Sequence, residues 1–98
     1  MKRCPQARVD LRTVDLENEL LLYDEKARQV HILNATARWI WLLCDGTHAP
    51  EEIVAEVARM FPDTPAGTIR QDVEETLATL GGKNLVVWVE EEVPDAAD

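Results

Sequence analysis

The chain has little of what catalytic and metal sites are usually assembled from. Its 98 residues include two histidines, two cysteines, one tyrosine and one phenylalanine. His31 and His48 are too few to supply the three or four converging ligands of a metal site. Cys4 and Cys44 lie too far apart for a metal knuckle, and a single pair is no disulfide framework. Gly81-Gly82 follows a helix instead of opening one, so no phosphate-cradling loop is present. Neither metal nor cofactor is expected. No run approaches the ~20 apolar residues of a membrane span. The opening MKRCPQARVD has no apolar stretch behind its basic residues and does not read as a signal peptide. The expectation is a reduced, cytoplasmic protein that does not engage a membrane.

Cations are scarce as well. Ten Lys and Arg stand against nineteen Asp and Glu, a net charge of −9. Nucleic-acid binding needs clustered cations that displace counterions from phosphates, so this balance argues against such a partner. The charge is uneven. Lys2, Arg3, Arg8 and Arg12 against Asp10 make residues 1–12 a basic segment, expected as a flexible arm, while residues 13–98 carry the acidity.

What is present reads as one small domain over residues 13–89. Val14–Glu17, Glu19–Tyr23 and Gln29–Leu33 read as three short strands of an antiparallel meander, separated by Asn18 and by the charged run Asp24–Arg28. In the last of these strands Val30 and Ile32 share one face and Gln29 and His31 the other, with His31 expected on the exposed side. Asn34 is a good N-cap for a helix over Ala35–Cys44. Its main apolar face is read as Trp39, Ile40, Leu43 and Cys44, which makes Trp39 core and leaves Trp41 off the stripe. A second helix is expected from Pro50 to Phe61, with Ile53, Val54, Val57, Met60 and Phe61 inward. Thr68-x-x-Gln71 has the form of a capping box, opening a third helix to Leu80 with the stripe Ile69, Val73, Leu77 and Leu80. Leu85–Val89 reads as a final strand and residues 90–98 as an acidic tail.

The order β-β-β-α-α-α-β gives an α+β class and resembles a winged helix-turn-helix. In the third helix, however, Arg70 and Gln71 face Asp72, Glu74 and Glu75, and a helix so charged would be repelled by the phosphates flanking a DNA groove. A winged-helix regulator is the runner-up reading, and a dimeric scaffold subunit the third. Catalysis finds little support: Cys44 and His48 could meet across a turn, but a buried thiol beside a loop imidazole is the plainer reading. Binding of a polypeptide remains. Gln29–Leu33 would close a small sheet, and an open edge beside an amphipathic helix can accept a peptide as an added strand. Alternatively Leu85–Val89 covers that edge, and pattern alone does not choose between the two. Trp41, Val86 and Trp88 appear as surplus apolar surface, the expected interface of a homodimer.

A resemblance bears on the choice. Val30-His31-Ile32-Leu33-Asn34-Ala35-Thr36-Ala37, then Leu42-Leu43-Cys44-Asp45-Gly46-Thr47, Glu52-Ile53-Val54 and Asp72-Val73 are similar in order and spacing to the PqqD-like family, over roughly residues 13–87. The resemblance implies a RiPP recognition element: a winged-helix-like domain without catalysis of its own. Such a domain binds the leader of a ribosomally made precursor peptide and presents it to a modifying enzyme, often a radical SAM protein. In that family the leader adds to the third strand and packs on the third helix. Carried over, the pairing edge is Gln29, Val30, His31, Ile32 and Leu33, and the wall is Ile69, Arg70, Val73, Glu74 and Leu77. This chain departs from the pattern in Ala49, where a Ser or Thr cap is common, and in its strongly apolar final strand and long acidic tail.

Overall fold

Two antiparallel sheets flank three helices in residues 2–91, the part of the chain that the structure, a computed structural model, describes. The elements in chain order are β1 (Lys2–Ala7), β2 (Arg12–Asp15), β3 (Leu20–Asp24), β4 (Gln29–Leu33), α1 (Ala35–Leu42), α2 (Pro50–Met60), α3 (Ala66–Gly82) and β5 (Val86–Glu91). The class is α+β. The three-stranded meander forms as expected, in the order β2-β3-β4, with Leu20 opposite Leu33 and Leu22 opposite His31.

The basic segment is not a loose arm. Lys2–Ala7 is a strand, paired along its whole length with β5 in a second sheet, with Cys4 opposite Val89 and Ala7 opposite Val86. The strand was hidden because KRCPQA has no apolar alternation. Its pairing is secured by other means. Ala7 N–H donates to the Cys44 carbonyl at 2.7 Å and Gly46 N–H to the Pro5 carbonyl at 3.1 Å. Gly46 has φ +83°, a left-handed conformation that a side chain would strain, so the turn favours glycine there. Asp45 Oδ1 holds the same turn by accepting from Thr47 N–H at 2.9 Å and Thr47 Oγ1 at 2.7 Å. The Cys-Asp-Gly-Thr motif is thus a clasp for β1. Lys2 extends the attachment to α2 through an ion pair with Glu52 at 2.6 Å.

Helix boundaries follow local chemistry, with one expectation overturned. Asn34 Oδ1 accepts from Ala37 N–H at 2.8 Å, capping α1 as read. At α2, Ala49 has no side-chain acceptor, and Glu52 instead reaches back to Ala49 N–H at 3.0 Å. Thr68 does not cap α3: the helix starts a turn earlier at Ala66 behind Pro65, and Gln71 donates forward to Glu75 at 3.0 Å. The Pro-Ala-Gly sequence hides this start because it offers no side-chain cap. Ile40, Trp41 and Cys44 of the α1 region, Ile53 and Val57 of α2, and Ile69, Val73, Leu77 and Leu80 of α3 pack with Leu20, Leu22 and Leu33 into one core.

Two tryptophans exchange the places expected of them. Trp41 is buried and Trp39 is 37% exposed, its ring lying under the Arg38 guanidinium at 4.9 Å. The first helix is apolar around most of its circumference, so two stripes fit it, and the one through Ala37, Ile40, Trp41 and Cys44 is the one that meets the core. Trp41 and Val86 are therefore no interface residues, since both are buried within the chain. Trp88 is exposed, with the Arg3 guanidinium 5.2 Å from its ring. The tail expected over residues 90–98 begins as the end of β5 at Glu90 and Glu91, and the remainder lies outside the described residues.

Ion pairs stitch the layers together. Arg38 of α1 makes a two-pronged contact with Asp15 of β2, at 2.8 and 2.6 Å. Arg8 donates to Asp10, to the buried Asp24 at 2.9 Å and to the Asn84 carbonyl at 3.2 Å, tying both sheets to the end of α3. The Arg8 guanidinium holds Asp10 down to about 2, and Arg38 with the Glu17 amide holds Asp15 down to about 2. Asp24 is also lowered, by the Ala27 amide and then Arg8. A folded-state pKa below the unfolded value gives stability that is full above the unfolded pKa and lost as pH falls. The domain is accordingly expected to keep its melting temperature from neutrality to about pH 4 and to lose it steeply between pH 4 and 2. Replacing Asp15 and Asp24 together by Asn should flatten that slope in a melting series; an unchanged slope would mean these carboxylates are not what acid titrates.

Candidate functional site: the groove between β4 and α3

β4 is an edge strand. Its one ladder is with β3, and β5, which pattern alone allowed to cover it, pairs with β1 instead. Among the described residues no strand takes the other side of β4, so its outward backbone groups face a groove closed on the far side by α3. The groove has a volume of about 280 Å³. Ile32, Leu33 and Ala37 line it from β4 and α1; Glu75, Thr76, Thr79, Leu80 and Lys83 line it from α3. An apolar floor between a strand edge and a helix with hydroxyls along its flank suits an extended chain, whose backbone would pair with β4 while alternate side chains turn inward.

All five expected residues lie on β4, but only Ile32 and Leu33 line the groove, and the faces of the strand are reversed from the reading. Val30 and Ile32 are 58% and 63% exposed, whereas His31 is half-buried opposite the core residue Leu22. The His31 Nε2 atom is buried without a hydrogen-bond partner. Gln29 is exposed and Leu33 is buried at the base of the groove. The reversal comes from β3, where Leu20 and Leu22 are turned to the core and carry their partners Leu33 and His31 inward with them. The outer face of the sheet is consequently apolar too, with Val14, Tyr23, Val30 and Ile32 exposed.

The wall expected from α3 is displaced around the helix. Ile69, Val73 and Leu77 are buried in the core and none of them lines the groove. Arg70 is turned toward α2, where it donates to both oxygens of Glu51 at 2.7 and 3.1 Å. Glu74 is exposed beside the groove-lining Glu75. The lining residues missed are Ala37 of α1 and Glu75, Leu80, Thr76, Thr79 and Lys83 of α3, the last three forming a polar stripe. Their spacing of three and four repeats the helical period, but a polar stripe gives no hydrophobic signal, and only the position of β4 distinguishes it from any solvated face.

The remaining candidates form no reactive centre. Burial, with the Asp45 carboxylate nearby, pushes the Cys44 thiol up to about 12, and its Sγ donates to the Ile40 carbonyl at 3.2 Å. His48 Nδ1 sits 3.0 Å from Asp45 Oδ1 rather than against the thiol. Burial raises Asp45, but hydrogen bonds from Thr47 and His48 outweigh it and hold the carboxyl at about 2. Among the described residues no group of three His, Cys, Asp or Glu is placed to hold a metal, and no helix is long and apolar enough to cross a membrane.

Solved structures share this fold. TbiB1, determined in complex with the TbiA(beta) leader peptide, superposes with a TM-score of 0.72 at 22% identity, covering 92% of this chain and 99% of that one. The heterocyclase TruD superposes with a TM-score of 0.64 at 18% identity, covering 94% of this chain and 12% of that one. At these identities the likeness is one of fold. No curated protein sequence matches the chain. The family model described as coenzyme PQQ synthesis protein D (PqqD) matches residues 19–86, which run from the start of β3 into β5 and take in β4, all three helices and the groove between them. The chain belongs to the PqqD family, the RiPP recognition elements to which its Leu-Asn-x-Thr-Ala and Cys-Asp-Gly-Thr motifs pointed.

Proposed function

We propose that this protein is a non-catalytic peptide chaperone. It binds the leader of a ribosomally made precursor peptide as an added strand on β4 and presents the peptide to a modifying enzyme, a radical SAM protein in this reading. The observation that carries it is the unpaired edge of β4 facing the flank of α3 across an apolar-floored groove. Family membership supports it, as does the likeness in fold to TbiB1, which was itself captured with a leader peptide. Strand addition draws affinity from main-chain hydrogen bonds and specificity from the pockets that take alternate side chains. The net charge of −9 and the pairing of Arg70 with Glu51 leave α3 poorly suited to a DNA groove.

The test uses random 12-residue peptides displayed on phage and selected on the immobilised full chain, followed by amide exchange with the winning peptide. Exchange should slow at Gln29–Leu33 by about tenfold or more as outward amides gain partners, and along the Thr76–Lys83 flank far less. Protection confined to the β1–β5 sheet, or no selectable peptide at all, would overturn strand addition on β4.

A further inference from the structure

Resting on the reading of the groove as a peptide site, we propose that the peptide it selects carries a carboxylate side chain near an aliphatic anchor, received by Lys83 and Arg28 at the β3–β4 turn end. In an acidic protein each cation has many carboxylates to choose from. Every other Lys and Arg among the described residues has taken one, or has an aromatic ring. Among the described residues Lys83 and Arg28 make no ion pair, side-chain hydrogen bond or ring contact. Lys83 is part of the groove lining, at the C-terminal end of α3, and Arg28 stands outside it at the turn end of β4, immediately before Gln29. Arg8 brings these ends together, since one nitrogen of its guanidinium donates both to Asp24, opposite Gln29, and to the carbonyl of Asn84, next to Lys83.

The groove is therefore polar along its length. α3 runs against β4, so Glu75 stands toward the α1 end, eight residues and about 12 Å from Lys83. Among the described residues Glu75 is engaged by Gln71 alone and pairs with no cation. An incoming strand meets positive charge at the turn end, an apolar floor of Ile32, Leu33 and Leu80 in the middle, and negative charge at the far end. Strand residues two apart point the same way at about 6.5 Å spacing. An acid two or four positions from the aliphatic side chain on that floor reaches Lys83. A cation at a helix C-terminus also stabilises the helix by itself, so the test must read recognition apart from stability.

The sequences recovered in the phage selection supply that readout. Asp or Glu should be enriched two or four positions from an enriched Leu, Ile or Val. Repeating the selection on the Lys83→Gln/Arg28→Gln double variant should abolish the acidic preference and keep the aliphatic one. A synthetic consensus peptide with its Asp changed to Asn should bind the unaltered chain about fivefold more weakly and the double variant no differently. A purely helix-stabilising Lys83 would move the melting temperature and leave the enrichment intact. Aliphatic enrichment without the acid, or an Asn penalty equal in both proteins, overturns this proposal while strand addition stands. No enrichment of any kind, with no protection of β4, removes the peptide site itself and the proposal with it.

Discussion

Thr79→Trp is expected to weaken binding of the phage-selected peptide by about 100-fold or more while leaving the domain folded. Thr79 is exposed on α3 and lines the groove, so an indole there occupies the space an incoming strand would use without disturbing the core. A 100-fold loss corresponds to about 2.7 kcal/mol, the scale at which single residues dominate an interface. Ala78→Trp is the matched control. It places the same ring one residue earlier on the same helix, also exposed, but outside the groove lining. Fluorescence anisotropy with a labelled peptide measures the affinities and a thermal melt checks the fold. Equal binding by the two variants would mean that the peptide does not lie between β4 and α3, whatever else it touches.

Leu22→Ala should be the most damaging of the simple truncations in the meander. Leu22 is fully buried in the middle of β3, among α-helical core residues and opposite His31. Removing its alkyl group costs the transfer energy of the lost atoms and leaves a cavity, together about 2–5 kcal/mol. A domain of this size is stable by only about 5–15 kcal/mol, so the melting temperature should fall on the order of 15 °C. Leu21→Ala, one residue away, should cost under about 1 kcal/mol, because Leu21 faces the outer, solvent-side surface of the sheet with Ile32. Denaturant melts of the two variants read this directly. Comparable losses at both positions would mean that the outer sheet face is covered in solution, and the single-core account of the fold would need revision.

The contrast between these leucines marks the limit of pattern reading. Leu20-Leu21-Leu22 is apolar at every position, so the period-two signal that would assign its faces is missing. The strand itself was legible, since β-rich composition bounded by turn residues is a local property. So were β4, the Asn34 cap, the core stripe of α3 and, through its motifs, the family. Each of these depends on residues close together in the chain, where backbone preferences and helical spacing act directly.

Three features had to await the tertiary structure. KRCPQA becomes a strand because β5 and the Cys44–Gly46 turn offer partners for its backbone, an interaction between residues far apart that its own side chains do not announce. Trp41 rather than Trp39 enters the core because a helix apolar on most sides has its buried stripe chosen by what packs against it. The wall of the groove is Glu75, Thr76, Thr79, Leu80 and Lys83 rather than Ile69, Val73 and Leu77, because those three are consumed by the core. By itself the amino-acid sequence determined the local elements, the acidity and the kinship. Only the packed chain decided which edge stays open and which polar flank looks onto it, since those depend on long-range pairing energies that no short window of residues contains.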